Sequence, residues 1–293
     1  MDFKKLLIRS LSGLVYVAVI VGCCIGSLVG VSVLAVVFAT LATIEFARIC
    51  SEGSERNMPV MLIDIVSVVC LTLGVYIFTL PIWLFLIIAR FVLELYTENG
   101  DHLRNLAHSA MVQIYIGLPL ACMVALPFFV HGAGENVIPG AAILHDLIRN
   151  ISYCWPLLLV TFFMIWINDT GAFLVGSMMG RHKLFERISP KKSWEGFFGG
   201  LLFNLGASLL FCYHGGTLFP HQGNVGFWLG MAAVVTIFGT WGDLVESLIK
   251  RTLHIKDSGN LIPGHGGILD RIDSLLLVAP ATLIYTLLFL LLA

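Results

Sequence analysis

Apolar runs of about 20 residues, separated by short polar breaks, fill this chain almost from end to end. They are continuous and do not alternate, so helices are expected and closed strand barrels are not. Nine spans are predicted, near residues 9–28, 30–49, 59–79, 81–97, 107–130, 155–179, 195–214, 225–250 and 272–292. Pro59, Pro81 and Pro156 sit near helix starts, where proline is tolerated. Pro119 and Pro127 should kink or shorten the fifth span. The expected fold class is therefore all-α, a polytopic integral membrane protein.

Composition supports this pattern. Of 293 residues, 58% are hydrophobic, only 12% are Asp, Glu, Lys or Arg, and the mean hydropathy is +0.93. Such a chain would not stay soluble as a globule. The short basic N-terminus before an apolar run resembles a signal peptide, but no small-residue cleavage site leads into a soluble domain, so a retained first helix is expected. The seven cysteines lie mostly in apolar runs and show neither Cys-x-x-Cys nor Cys/His ligand spacing. They read as small buried residues, with no zinc site or disulfide framework.

Net charge is −1, so the placement of charge says more than its sum. With the N-terminus inside, one side of the membrane collects Lys4, Lys5, Arg9, Arg48, Arg56, Arg104, Arg181, Lys183, Arg187, Lys191, Lys192, Lys250, Arg251, Lys256 and Arg271, and the other side only Arg149. The positive-inside rule then puts the N-terminus and both large polar loops in the cytosol and the C-terminus outside. It also checks the span count, since one helix more or fewer would scramble the bias.

The two halves differ. Residues 1–154 read as a membrane scaffold giving lipid access and dimer contacts. Their few intramembrane charges are Glu45, Asp64, Arg90 and Glu94, and snorkelling or pairing accounts for them; Arg90 and Glu94 have the i, i+4 spacing of a salt bridge. Residues 155–293 read as a catalytic membrane domain, because polar residues gather there in three patches.

The first patch is Asn168-Asp169-Thr170-Gly171, within an apolar run. A charge there is costly, and it points to function unless a neighbouring helix satisfies it. The second is Arg181-His182-Lys183 followed by Ser189-Pro190-Lys191-Lys192-Ser193-Trp194-Glu195-Gly196. Ser189-Pro190 suits an N-cap with a first-turn proline, or a turn before the seventh helix. Adjacent lysines near a helix start suit a phosphate, although basic loops are also ordinary membrane anchors. The third patch runs from Asp243 to Asp273. Asp243, Glu246, Ser247 and Lys250 share one helix face, and Asp270 and Asp273 repeat the i, i+3 spacing at the next helix start. Acids from two helix ends suit a hard divalent ion. Between them lie Arg251, Lys256, Asp257, Gly264, His265, Gly266, Gly267 and Arg271. Glycines permit close approach to a ligand, and His265 suits phosphate binding or proton transfer when it is not simply a surface residue.

Ser247-Leu248-Ile249-Lys250-Arg251, then Lys256-Asp257, then the run Pro263 to Asp273 resembles the signature of the phosphatidate cytidylyltransferases (CDP-diacylglycerol synthases). The first two patches also resemble segments of that family, with Ser193 where the family often has threonine. The likeness is sharp over 155–275 and general before it. It implies an enzyme that transfers CMP from CTP to phosphatidic acid, giving CDP-diacylglycerol and pyrophosphate, in a bacterial inner membrane with the site facing the cytosol. It implies Mg²⁺ with K⁺ beside it, a homodimer among membrane lipids, and no nucleic-acid partner. Asp243 and Asp270 would lead the metal ligands, with Glu246, Asp273 and Ser247 close by. Lys250 would act at the phosphates. Asp169, Ser189, Lys191, Lys192, Arg251, Lys256, Asp257, His265, Gly266, Gly267 and Arg271 would form the substrate walls. A secondary transporter, a CTP-dependent polyprenol or phytol kinase, a cytidylyltransferase for another lipid and a non-catalytic scaffold are the competing readings.

Overall fold

The computed structural model describes residues 3–50, 58–76, 78–97, 101–128, 154–214, 221, 223–259, 261 and 266–292. Among them are nine helical stretches: α1 (Phe3–Gly26), α2 (Leu28–Cys50), α3 (Met58–Thr72), α4 (Thr79–Leu95), α5 (His102–Phe128), α6 (Trp155–Met179), α7 (Trp194–His214), α8 (Val225–Thr252) and α9 (Leu269–Leu292). Each matches one predicted span. Six of them (α2, α5, α6, α7, α8 and α9) are long and apolar enough to cross a bilayer. Large apolar side chains such as Leu14, Phe85, Phe173, Leu202 and Leu292 face outward, as lipid contact requires. The chain is a multi-pass membrane protein.

Three details qualify the sequence pattern, each with a local cause. α3 stops at Thr72, short of residue 79. The Leu73 carbonyl is taken by Tyr76 N (2.9 Å) and Thr79 Oγ1 (2.9 Å), which turns the chain into α4. In α5, a π-helical turn over Gln113–Gly117 precedes Pro119, and Pro127 falls in a final 3₁₀ turn over Leu126–Phe128. Proline lacks an amide donor and its ring crowds the preceding turn, and the wider turn accommodates that. The expected disruption of the fifth span takes this form.

The third detail corrects the expectation at Ser189-Pro190. Neither an N-cap nor a turn forms there. Two short antiparallel strands, β1 (Lys183–Phe185) and β2 (Ser189–Ser193), make a hairpin with Lys183 opposite Ser193 and Phe185 opposite Ser189. Both strands are edges, so the missing amide of Pro190 is tolerated. The cap of α7 is Ser193, whose Oγ accepts from Gly196 N (3.2 Å). The all-α architecture thus carries one small β-hairpin.

α6 and α7 form the most extensive helix pair, and α8 packs on both α7 and α9. A Cβ on Gly196 would come within 3.3 Å of the Gly176 Cα and 2.9 Å of the Ala172 carbonyl, so the α6–α7 backbones touch where side chains are absent. α9 also packs on α5, which joins the two halves of the chain. Long-range contacts gather the end of α2, the hairpin, the end of α8 and the start of α9 at one end of the bundle: Glu45 meets Ile268, Tyr16 meets Arg271, Lys192 meets Thr240, and Arg251 meets Ile188.

Candidate active site

α8 has 28 residues, about 42 Å at ~1.5 Å per residue, longer than the ~30 Å hydrocarbon core. Its last turns therefore carry polar side chains near or beyond the apolar layer. Asp243, Glu246 and Lys250 project from one face there, and Asp270 and Asp273 answer from the first turns of α9. Together they line a cavity of about 380 Å³ with Tyr16, Trp166, Asp169, Asp257, Arg271 and Ser274. Six of its lining residues are acids and two are bases, so the cavity has an excess of negative charge.

Carboxylate oxygens of Asp243, Glu246 and Asp273 lie within 4.8 Å of one another. Asp243 is held by Lys192 Nζ (2.8 Å) and accepts from Ser247 Oγ (3.2 Å). Lys192 also donates to the Thr240 carbonyl at 3.2 Å, which ties the hairpin to α8. Asp273 accepts from Ser274 N at 2.6 Å. Glu246 is 1% exposed; its Oε2 takes Lys250 Nζ at 2.6 Å, and its carboxyl lies within hydrogen-bond reach of the Asp270 carboxyl. Its Oε1 is buried and accepts from no donor among the described residues. An unsatisfied buried carboxylate oxygen costs of the order of 1–3 kcal/mol or more, and clustered like charges add to the cost. An all-oxygen set with a vacant acceptor fits a hard divalent cation such as Mg²⁺.

Asp270 stands beside this trio. Its Oδ1 accepts from Lys250 Nζ (2.8 Å). Its Oδ2 accepts from Ser258 N (3.0 Å), Ser258 Oγ (3.0 Å) and Gly267 N (2.8 Å). Lys250 therefore bridges Glu246 and Asp270 and links the two helix ends. Gly266 has φ +82°, and a Cβ there would sit 2.6 Å from Asp270 Oδ2, so glycine is required on two counts.

Most of the residues singled out in the sequence converge here. Asp169, Asp257 and Arg271 line the cavity, and Gly266 and Gly267 wrap Asp270. Ser189 and Lys191 lie on β2, where Lys191 is exposed and Lys192 half-buried against Asp243. Arg251 is exposed, with Nε toward the Ile188 carbonyl at 3.4 Å, and Lys256 points to solvent. His265 lies outside the described residues. Beyond the lining residues Trp166 and Ser274, three contributors were not legible as part of the site in the sequence. Tyr16 lines the cavity from α1 and donates to the Arg271 carbonyl at 3.2 Å. Ser258 bridges the loop to Asp270. Glu45, buried in α2, accepts from the start of α9. Only Glu45 left a signal, as a charge within an apolar run, and nothing in that run names its partner.

Asp64, Arg90 and Glu94 form a second buried network in α3–α5, with Arg90 Nη1 at 2.6 Å from Glu94 Oε2 as the i, i+4 spacing anticipates. It lies in other helices and lines none of this cavity.

A phosphatidate cytidylyltransferase of Staphylococcus aureus (strain COL) is 48% identical over 123 residues, which is 42% of this chain and 46% of that protein. One of Staphylococcus haemolyticus (strain JCSC1435) is 46% identical over 125 residues, again 42% of this chain and 46% of the relative. The chain thus spans about half the length of the curated relatives it matches. The sequence profile described as the Cytidylyltransferase family matches residues 7–289, from the first helix to the last. By that match, which takes in every element lining the cavity, the chain belongs to the cytidylyltransferase family.

Proposed function

We propose that this protein transfers CMP from CTP to phosphatidic acid, releasing pyrophosphate and forming CDP-diacylglycerol, at the cytosolic face of a bacterial inner membrane. The observation that carries the reading is the convergence of Asp243, Glu246 and Asp273 around a buried, unpartnered oxygen, beside a lysine held between two helix ends. Family membership and the names of the aligned relatives support the same chemistry.

The reaction joins two polyanions. A phosphate oxygen of phosphatidic acid attacks the α-phosphorus of CTP in line, the new P–O–P bond forms, and the bond to the β-phosphate oxygen breaks. The attacking phosphate is ionised near neutral pH, so no strong base is needed. What the protein must supply is position and positive charge. Lys250, fixed by Glu246 and Asp270, presents its ammonium to the polyphosphate in a set place. Lys192 is paired with the cavity-lining Asp243, Arg271 lines the cavity itself, and the exposed Lys191 and Arg251 would add positive charge nearby. Asp243, Glu246 and Asp273 would hold Mg²⁺, with Asp270, which shares Lys250 with Glu246, as the fourth carboxylate. When bound, that ion supplies Lewis-acid neutralisation of the α-phosphate and of the departing pyrophosphate. A neighbouring K⁺ and a homodimer are further parts of the reading, carried by the family resemblance alone. The acyl chains stay in lipid, and the arginines and lysines near the site favour the cytosolic side, where CTP is present.

The test is incubation of purified protein with labelled CTP, Mg²⁺ and phosphatidic acid. Lipid-linked CMP should form with the wild type and be lost in Asp270→Asn, while that variant still inserts and folds. A transporter or scaffold yields no labelled lipid. A polyprenol or phytol kinase transfers the γ-phosphate and leaves CMP off the lipid. Wild-type turnover in Asp270→Asn would sink the carboxylate assignment.

A further inference from the structure

Glu45 belongs to the half of the chain that the sequence marks as scaffold, yet it reaches the candidate site. Its side chain is 4% exposed. Oε1 accepts from Ile268 N (2.9 Å), and Oε2 accepts from Leu269 N (2.9 Å) and Ser258 Oγ (3.2 Å). A carboxylate from α2 thus caps α9 in place of a residue of α9's own leading segment. Its charge is favourable there because free amides and the helix dipole point at it. The surrounding backbone is built around it. A Cβ on Gly259 would stand 2.8 Å from Glu45 Oε1, and a Cβ on Gly267 would collide with both Glu45 Oε2 and Ser258 Oγ. Gly259 and Gly267 approach this carboxylate as closely as glycine allows.

The same contacts lead to the chemistry in one step. Ser258 Oγ lies between Glu45 Oε2 (3.2 Å) and Asp270 Oδ2 (3.0 Å), and Gly267 N donates to that Asp270 oxygen. Asp270 in turn holds Lys250. Glu45 itself is absent from the cavity lining.

We infer that Glu45 is a positioning residue: it clamps Ser258, Gly267 and the start of α9, and through them sets Asp270 and Lys250 for CMP transfer. The inference deepens the proposed function and rests on it for the catalytic part.

The experiment compares full-length wild type, Glu45→Gln, Ser258→Ala and the double variant. Two readouts are used: hydrogen exchange of the metal-free protein and steady-state CMP transfer across a range of Mg²⁺ concentrations. Glutamine keeps one acceptor but turns its amino group either toward the Ile268 donor or toward the Leu269 and Ser258 donors. Exchange over 258–272 should rise at least tenfold in Glu45→Gln and stay at the wild-type level over 58–97. kcat should fall at least tenfold, and half-saturation should need several-fold more Mg²⁺. Ser258→Ala should show a smaller loss, and the double variant should fall little below Glu45→Gln, because both act through one chain of contacts. Unchanged exchange over 258–272 overturns the clamp. Raised exchange there with wild-type kcat and Mg²⁺ dependence overturns the positioning role. Exchange raised equally over 58–97 reduces Glu45 to general stability and overturns it too. A wild type that exchanges normally but makes no lipid-linked CMP refutes the functional reading, and the exchange arm then decides the clamp alone.

Discussion

Among the described residues, buried charge gathers in two networks, and the two are built on opposite terms. In the N-terminal half, Glu94 Oε2 takes Arg90 Nη1 (2.6 Å) and its Oε1 takes His102 Nδ1 (3.0 Å) and Asn105 Nδ2 (2.9 Å). Ser109 accepts from Arg90 Nε (2.9 Å) and donates to Asp64 Oδ2 (2.9 Å). Gln113 continues the network through Ser67 (2.5 Å) and Trp83 Nε1 (3.1 Å). Every carboxylate oxygen named there has a donor or a cation. In the C-terminal half, four acids, Asp243, Glu246, Asp270 and Asp273, share two lysines, and Glu246 Oε1 accepts from no donor among the described residues. A satisfied network holds helices together. An unsatisfied one facing a cavity waits for a ligand. In an apolar chain, what separates structural from functional charge is the balance of donors and acceptors, because an intramembrane charge is costly in either place.

The comparison can be broken most forcefully at Arg90. Arg90→Ala leaves two carboxylates without their shared cation, and losing one partner of a buried pair costs about 3–5 kcal/mol. Unfolding in detergent should show that loss, while CMP transfer per folded molecule stays near wild type. A large loss of specific activity would mean the network serves the site. Asp243→Asn should do the reverse. Transfer should fall by about 10²–10³, on the order of 3 kcal/mol of transition-state stabilisation, with the unfolding midpoint held. Mg²⁺ should then separate the two networks by linkage: at a hundredfold excess over its Kd it should add about 2.7 kcal/mol to wild-type stability and add nothing measurable to Asp273→Asn. The smallest effect is the most diagnostic. In chelator, Glu246→Gln should raise stability by about 1 kcal/mol, since it removes one of the repelling charges and keeps an acceptor for Lys250. An equal change at Glu94 should lower stability. Stabilisation at both, or at neither, would erase the distinction.

The helices were legible because lipid imposes one rule on the backbone, and a run of about 20 apolar residues has one way to obey it. Asp243, Glu246 and Lys250 were legible as a set because helical spacing alone puts them on one face. The hairpin at Ser189–Ser193 was not, because a five-residue polar segment carries no periodicity long enough to choose between strand and turn. Glu45 was visible only as an oddity. Its partners lie 213 to 224 residues away, at distances that no local pattern encodes.

By itself the sequence determined that this is a multi-pass helical protein, that its polar chemistry is concentrated after residue 155, and which residue types stand at the end of α8 and the start of α9. Those are consequences of local composition and helical period. Tertiary packing decided the rest. It brought Asp273 rather than Asp270 into the tight carboxylate trio, set Lys250 between two helix ends, left one oxygen of Glu246 bare, and drew Glu45 across the bundle to cap α9. The reason is physical: whether a buried charge is satisfied depends on which donors the other helices bring within about 3 Å, and that is a property of the packed bundle, not of any one segment.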